Sequence, residues 1–244
     1  MKQFLILALC CRALEAKSSF VPAAKLVNIR SVPRLVRAQE SPRLEAIAGE
    51  YPYQVSLQIC GGSLISKRHV LTAAHCVFSF VGQKKDKNTI KVLVGTNSLT
   101  DGDTLMDVDR ISHHGAFTNA DVSPVMNNDI AVIRLKKEVT ESATVKIISL
   151  PQPNQDIPEN TQMILTGFGS TYTGGPISLK LRQLYMYATN RGVITVAHLC
   201  ASLGTGYGAC QVSDEFAKIE SSEDLYTRVS YYLDYINYEL SLIS

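Results

Sequence analysis

The sequence predicts an all-β fold, a barrel or sandwich, closed by a C-terminal amphipathic helix. Short apolar or alternating runs recur at 53–59, 89–94, 130–135, 162–165, 183–188 and 193–197. Clusters of Gly, Asn, Asp and Pro separate them, the punctuation of antiparallel strands. The end of the chain changes period. Val229, Leu233, Ile236, Leu240 and Ile243 step by 4, 3, 4 and 3, which aligns them on one helical face. Ser230, between Val229 and Leu233, reads as the N-cap of this helix, and docking on the chain's own core is its expected use.

Of 244 residues, 45% are apolar and 19% charged, enough for a sizeable core in one or two domains. This balance excludes a disordered chain and a multi-span membrane protein. The formal net charge of +2 conceals an asymmetry: residues 1–43 carry eight Lys/Arg and two acidic groups, whereas 44–244 carry 16 and 20. A nucleic-acid partner requires a basic folded body, so that class is set aside.

Residues 1–16 read as a secretory signal peptide, with Lys2, an apolar run from Phe4 to Cys11, then Arg12 and the small residues Ala13 and Ala16. The run is far shorter than the ~20 residues that span a bilayer, so no membrane segment is expected. A buried N-terminal strand is the other reading of the same residues. Residues 17–43, with Pro22, Pro33 and Pro42, read as a basic pro-segment. A secreted, extracellular chain is oxidised, so its cysteines count as bridges. Cys10 and Cys11 would leave with the signal; Cys60, Cys76, Cys200 and Cys210 remain.

Two motifs carry chemistry. Cys60-Gly61-Gly62-Ser63-Leu64-Ile65 reads as a strand entering a Gly-Gly turn, and Val70-Leu71-Thr72-Ala73-Ala74-His75-Cys76 then delivers a histidine beside a cysteine. A Cys60–Cys76 bridge would pin the histidine's segment to the strand before it. Asn127-Asn128-Asp129-Ile130-Ala131-Val132-Ile133-Arg134-Leu135 puts an acid at the head of an apolar strand. A buried aspartate there needs hydrogen-bond donors. A histidine ring N–H is one candidate, and ordinary strand capping is the alternative.

Together these segments resemble the trypsin/chymotrypsin family of secreted serine proteases. Tyr51-Pro52-Tyr53-Gln54-Val55-Ser56-Leu57, the Cys60-Gly-Gly-Ser-Leu run and Thr72-Ala-Ala-His75-Cys76 match its opening signature. Asn128-Asp129-Ile-Ala, Thr166-Gly167-Phe168-Gly169, Leu199-Cys200-Ala201 and Tyr226-Thr227-Arg228-Val229 follow in the family's order. The resemblance runs from about Pro42 to the C-terminus. It implies a serine protease-like domain over 44–244: two packed six-stranded β-barrels, about 44–155 and 156–228, then the helix at 229–243. The site would lie in the cleft between the barrels. Protein or peptide substrates are implied, with His75 as general base, Asp129 as its orienting acid, and neither cofactor nor metal. A serine would attack the peptide carbonyl while backbone N–H groups stabilise the oxyanion.

Three departures from the family pattern follow. After Ala209-Cys210-Gln211 the family carries Gly-Asp-Ser-Gly-Gly-Pro; here Val212-Ser213-Asp214-Glu215 follows. Ser213 is a candidate only as a shifted nucleophile. Val212-Ser213 fits the later Val-Ser of the family's substrate-binding strand better, with the residues between removed. Only 17 residues, 212–228, separate Gln211 from Val229, too few for three strands of ~5–6 residues and their turns. The second barrel is therefore expected to be incomplete, with exposed edges. At the activation site Arg43 is the expected cleavage point, yet Leu44-Glu45 follows where the family carries Ile-Val-Gly-Gly. The new ammonium and its aspartate partner are both missing. A third shortening between Asn190 and Val193 removes the family's mate for Cys200; Cys200 and Cys210 could pair with each other, and spacing does not decide it.

Gly208 is the remaining pocket residue and implies a chymotrypsin-like or elastase-like parent. The expectation is a secreted serine endopeptidase family member that has lost its nucleophile and hydrolyses no peptide bond. Block-like absences beside intact motifs point to a splice variant or faulty gene model of an active protease. A non-catalytic homologue that binds a protein partner is the alternative. His113-His114 lack a third ligand at metal spacing, and Lys84-Lys85-Asp86-Lys87 reads as a solvated loop.

Overall fold

The computed structural model describes residues 3–8, 26–30, 44–57, 60–78, 83–100, 104–118, 127–169, 176–189, 196–202 and 224–242. In chain order its strands are β1 (Gln3–Ala8), β2 (Leu26–Arg30), β3 (Leu44–Glu45), β4 (Gln54–Leu57), β5 (Cys60–Leu64), β6 (His69–Thr72) and β7 (Lys91–Val94). Then come β8 (Thr104–His113), β9 (Ala131–Leu135), β10 (Gln162–Gly167), β11 (Arg182–Thr189), β12 (His198–Ser202) and β13 (Asp224–Thr227). Helix α1 (Leu233–Ser241) ends the described chain. The architecture is mostly β, as the short runs predict: one closed barrel, one curled sheet and a C-terminal helix.

The closed barrel runs β4-β5-β6-β9-β8-β7. One face of its strands carries Val55, Leu64, Val70 and Ile133 into the interior, and Leu71 and Val132 are buried on the opposite face. The Gly-Gly pair is not a turn: Cys60–Leu64 is one continuous, fully buried strand. Glycine is needed at position 62 because a Cβ there would stand 2.7 Å from Val70 Cγ1 and 2.9 Å from Val55 Cγ2, overlaps that a close-packed core does not absorb. Thr72 Oγ1 donates to the Gly61 carbonyl at 2.8 Å, tying β6 to β5. Strand β8 escapes the sequence reading because Asp107, Asp109 and Arg110 interrupt its apolar pattern. Those charges are paired: Lys91 bonds Asp107, and Arg134 Nε donates to Asp109 at 2.7 Å.

The second sheet has the order β10-β2-β1-β13-β12-β11-β3, and β10 also pairs with β11, so its ladders curl back on themselves. Of residues 212–228, the described part contributes β13 alone. Between β13 and β10 lie instead β1 and β2, drawn from the N-terminal 30 residues. Strand β3 also belongs here, on the edge of β11, rather than with the first barrel. The apolar run at 193–197 is not a strand where described. Val196 and Ala197 form a turn, and β12 starts at His198, opposite Thr227. Cross-strand partners, not β-propensity, set that boundary.

One core crosses both halves. Ile164, Phe168, Leu181, Ala197, Val229, Tyr232, Leu233 and Ile236 pack with the barrel residues. Thr166 Oγ1 of β10 donates to Gln54 Oε1 of β4 at 2.8 Å, with both residues buried. The terminal helix begins two residues later than the capping argument places it, with Tyr232 rather than Ser230 at the N-cap. Val229–Tyr231 is a short 3-10 turn, and Ser230 Oγ donates to the Gln155 carbonyl at 2.9 Å instead of capping α1. Leu233 and Ile236 are buried as expected, whereas Leu240 is half-buried and Ile243 lies outside the described residues. Glu239 is buried too. Its carboxylate accepts from Ser112 Oγ at 2.7 Å and pairs with Arg110 at 3.3 Å, which locks α1 onto β8.

Candidate active site

His75 and Asp129, 54 residues apart, meet at the edge of the first barrel. His75 sits in a 3-10 turn, Ala74–Val77, that leaves β6. Ala73 and Ala74 are completely buried, and small side chains let that turn lie flat on the barrel. A disulfide joins Cys60 of β5 to Cys76 across a sequence separation of 16. Closing a loop of that size stabilises a fold by about 3 kcal/mol, and here it holds the histidine's own turn. Lys85 Nζ donates to the Cys76 carbonyl at 3.0 Å, and burial lowers the pKa of its ammonium. Lys84 and Lys87 reach the carbonyls of Ile111 and Asp109, each at 2.8 Å. The lysine run is therefore a staple on the barrel rather than a loop that simply faces water.

Asp129 has no solvent exposure, and its carboxylate is met twice by one residue. The His75 backbone N–H donates to Oδ1 at 2.8 Å, and the ring Nδ1 lies 2.6 Å from Oδ2. The carboxylate is the acceptor of this bond, so Nδ1 is its donor, and in the neutral ring that tautomer places the lone pair on Nε2. Nε2 lies 3.5 Å from Cys76 Sγ. The arrangement fixes the ring's tautomer and leaves a proton-accepting nitrogen at its far side, chemistry suited to a general base.

Sequence reasoning quoted Asn128 but missed its task. Asn128 adopts φ +55°, a left-handed conformation that asparagine tolerates better than most residues. That twist turns the chain so that Asp129 enters the barrel. Asn128 Nδ2 donates to the Ala116 carbonyl at 2.8 Å, and Tyr232 OH donates to Asn128 Oδ1 at 3.1 Å. Burial, then Tyr231 and Asp129, push the Tyr232 phenol up to about 12, so it remains a donor. Thr227 Oγ1 of β13 donates to the Asp129 carbonyl at 3.2 Å. The Asn-Asn pair, a turn signal, is the one cue that pointed to the first of these.

Arg43, Gly208, Cys210 and Ser213 lie outside the described residues; Cys200 lies half-buried on β12. His113 and His114 sit among rings. Phe78 packs edge-on against His113 at 4.8 Å, and His114 contacts Tyr232 and Tyr235 at 5.5 and 5.3 Å. Among the described residues, the cluster with metal-ligand geometry is Cys60, His75 and Cys76, and the disulfide already consumes both of its sulfurs.

A family model described as "Trypsin" matches residues 43–214. This chain is a member of the trypsin/chymotrypsin family of serine proteases. Trypsin of Phaedon cochleariae is 28% identical over 262 aligned positions, covering 91% of this chain and 99% of the relative. Those positions outnumber the 244 residues present, so the relative carries stretches that this chain lacks. Chymotrypsin-2 of Vespa crabro is 31% identical, with 83% of this chain and 98% of the relative covered. Among solved structures, human heparin binding protein aligns with a TM-score of 0.69 at 22% identity, over 84% of this chain and 98% of its own. That likeness is one of fold. Among the described residues no helix is long and apolar enough to cross a membrane.

Three partly buried histidines favour their neutral forms in this fold. Burial, with Arg134 and Arg68, lowers the pKa of His69; burial, with Lys84 and His114, lowers that of His113; burial lowers that of His114. The unfolded chain, titrating near the ordinary value of ~6.5, then binds protons that the native chain refuses, so stability rises with pH in that window. Stability is expected to be full above about pH 6.5 and to fall as pH drops through it. Urea midpoints between pH 7 and 5 should decline, and less steeply in a His69→Gln chain. A flat or rising midpoint would contradict the account.

Proposed function

We propose that this chain is a secreted member of the family that keeps the base–acid pair and hydrolyses no peptide bond. The observation that carries the reading is Val212-Ser213-Asp214-Glu215 standing directly after Cys210-Gln211, where the family has its nucleophile and the glycines that shape the oxyanion hole. His75, oriented by Asp129, can accept a proton, but the sequence lacks the Gly-Asp-Ser-Gly-Gly-Pro run that supplies the hydroxyl in the family. Removing a triad serine leaves only the residual rate from other elements, and the glycines that shape the family's oxyanion hole are absent after Gln211 as well. Gly208, with relatives named chymotrypsin-2 and chymotrypsin-like elastase family member 1, supports a chymotrypsin-like or elastase-like parent acting on protein or peptide substrates. Lys2 with the apolar run after it supports entry into the secretory pathway, and a Cys60–Cys76 disulfide suits an oxidising compartment.

The absences fall in blocks while neighbouring motifs stand intact, which favours a shortened form of an active protease over gradual decay into a partner-binding protein. Two experiments test this reading. Incubation of the full chain with a fluorophosphonate should leave its intact mass unchanged, as it should for Ser213→Ala; a stoichiometric adduct at Ser213 would overturn the inactivity. Sequencing of native transcripts across Arg43/Leu44, Asn190–Val193 and Gln211/Val212 should reveal a longer message restoring Ile-Val-Gly-Gly and Gly-Asp-Ser-Gly-Gly-Pro. A shortened message alone would sink the variant reading and favour the homologue that binds a protein partner.

A further inference from the structure

We propose that the dithiol form of this chain binds one zinc ion through Cys60 Sγ, Cys76 Sγ and His75 Nε2, with Asp129 aiming the imidazole at the metal. The disulfide and the metal are then alternative occupants of one place on the first barrel. The proposal stands whether or not the chain hydrolyses peptides.

The geometry carries it. Among the described residues, these three form a group whose ligand atoms all lie within 4.8 Å of one another. Cys76 Sγ stands 3.5 Å from His75 Nε2. A tetrahedral zinc with sulfur at ~2.3 Å and imidazole nitrogen at ~2.05 Å spaces those two atoms ~3.5 Å apart, so one edge of the coordination tetrahedron is already set. The remaining adjustment is between the sulfurs. Once their bond opens, side-chain rotation has to part them to ~3.8 Å, another edge of the same tetrahedron. The backbone holds both cysteines meanwhile. Cys60 pairs with Leu57 across β4 and β5, the Cys76 N–H donates to the Ala73 carbonyl at 3.2 Å, and Lys85 Nζ donates to the Cys76 carbonyl at 3.0 Å.

The donor set selects the ion. Two thiolates and an imidazole suit zinc, whereas calcium and magnesium demand oxygen ligands. His75 Nδ1 donates to Asp129 Oδ2 at 2.6 Å, and a carboxylate in that position fixes the tautomer of a zinc-bound histidine and raises its basicity. Zinc, two thiolates and a neutral imidazole sum to no net charge, which suits cysteines only 4% and 5% exposed. A cavity of about 230 Å³ reaches Cys76 between Leu57, Val77, Lys85 and Ile90, giving the ion a way in. Three protein ligands leave the fourth position to water. The metal would occupy the lone pair that a general base uses, so the zinc-loaded and base-competent states exclude each other.

A newly made chain carries the two thiols. In the folded chain a phosphine regenerates them: it takes up oxygen from water to become the phosphine oxide, and the two protons of that water protonate the sulfurs. Zinc then displaces both protons.

The test uses the full chain with Cys10→Ser, Cys11→Ser, Cys200→Ser and Cys210→Ser, so that Cys60 and Cys76 are the remaining thiols, reduced with a phosphine without air. Added Co²⁺ should give the charge-transfer absorption of two thiolates, bleached by one equivalent of Zn²⁺, and the oxidised chain should give none. Zn²⁺ should also raise the urea midpoint of the reduced chain, since a metal held by the native fold stabilises it. Asp129→Asn, 54 residues from His75 in sequence, should weaken zinc binding about tenfold to hundredfold, and His75→Gln at least tenfold. Urea midpoints of both variants in their oxidised forms establish that they fold. Absence of the thiolate band, an equal band in the oxidised chain, an unchanged urea midpoint, or undiminished affinity in His75→Gln and Asp129→Asn would each overturn the proposal, the last two as the marks of chelation by an unfolded chain.

Discussion

A carboxylate with no contact to water organises this molecule. Asp129 is buried at the head of β9, and an unpaired charge there would cost several kcal/mol. His75 answers it with both its backbone and its ring N–H. Much of the surrounding architecture keeps those donors in place. The Cys60–Cys76 disulfide and Lys85 hold the histidine's turn from one side. Asn128, in its left-handed conformation, and Tyr232 hold the aspartate's turn from the other. Burial of Asp129 demands the pair for folding as well as for chemistry, so the proposed loss of the nucleophile would leave the site well formed.

The same constraint couples the two halves. Thr227 belongs to the curled sheet yet bonds the Asp129 carbonyl, and Tyr232 leads into α1 yet bonds Asn128. Helix α1 is fastened to the first barrel by a buried glutamate that faces Ser112 and Arg110. The sheet, the helix and the barrel thus share polar contacts along one seam, and an incomplete sheet would loosen that seam at β13.

Local chemistry was legible in the sequence wherever a motif and its apolar flank coincided. The His75 and Asp129 segments and strands β4, β7, β9, β10 and β11 could all be read this way. Features that depend on distant partners were not. Gly62 looked like a turn because a sequence shows glycine's freedom but not Val55 and Val70 pressing on it. Strand β8 was hidden by charges whose partners, Lys91 and Arg134, lie on other strands. Glu239 is buried on α1 because β8 supplies Ser112 and Arg110. Strand β1 lies in the run that reads as a signal peptide and β2 in the stretch that reads as a pro-segment, and their pairing with β13 and β10 depends on distant partners.

The central claim is a hydrogen-bonded His75–Asp129 pair with no nucleophile to serve. Proton NMR of the full chain, recorded before and after addition of a peptide boronic acid, addresses both parts together. The account predicts a strongly deshielded His75 Nδ1–H resonance that vanishes in Asp129→Asn and does not move with the boronate. Absence of that resonance would contradict the pair. A boronate-induced shift, the signature of a tetrahedral adduct on a serine, would contradict the loss of the nucleophile.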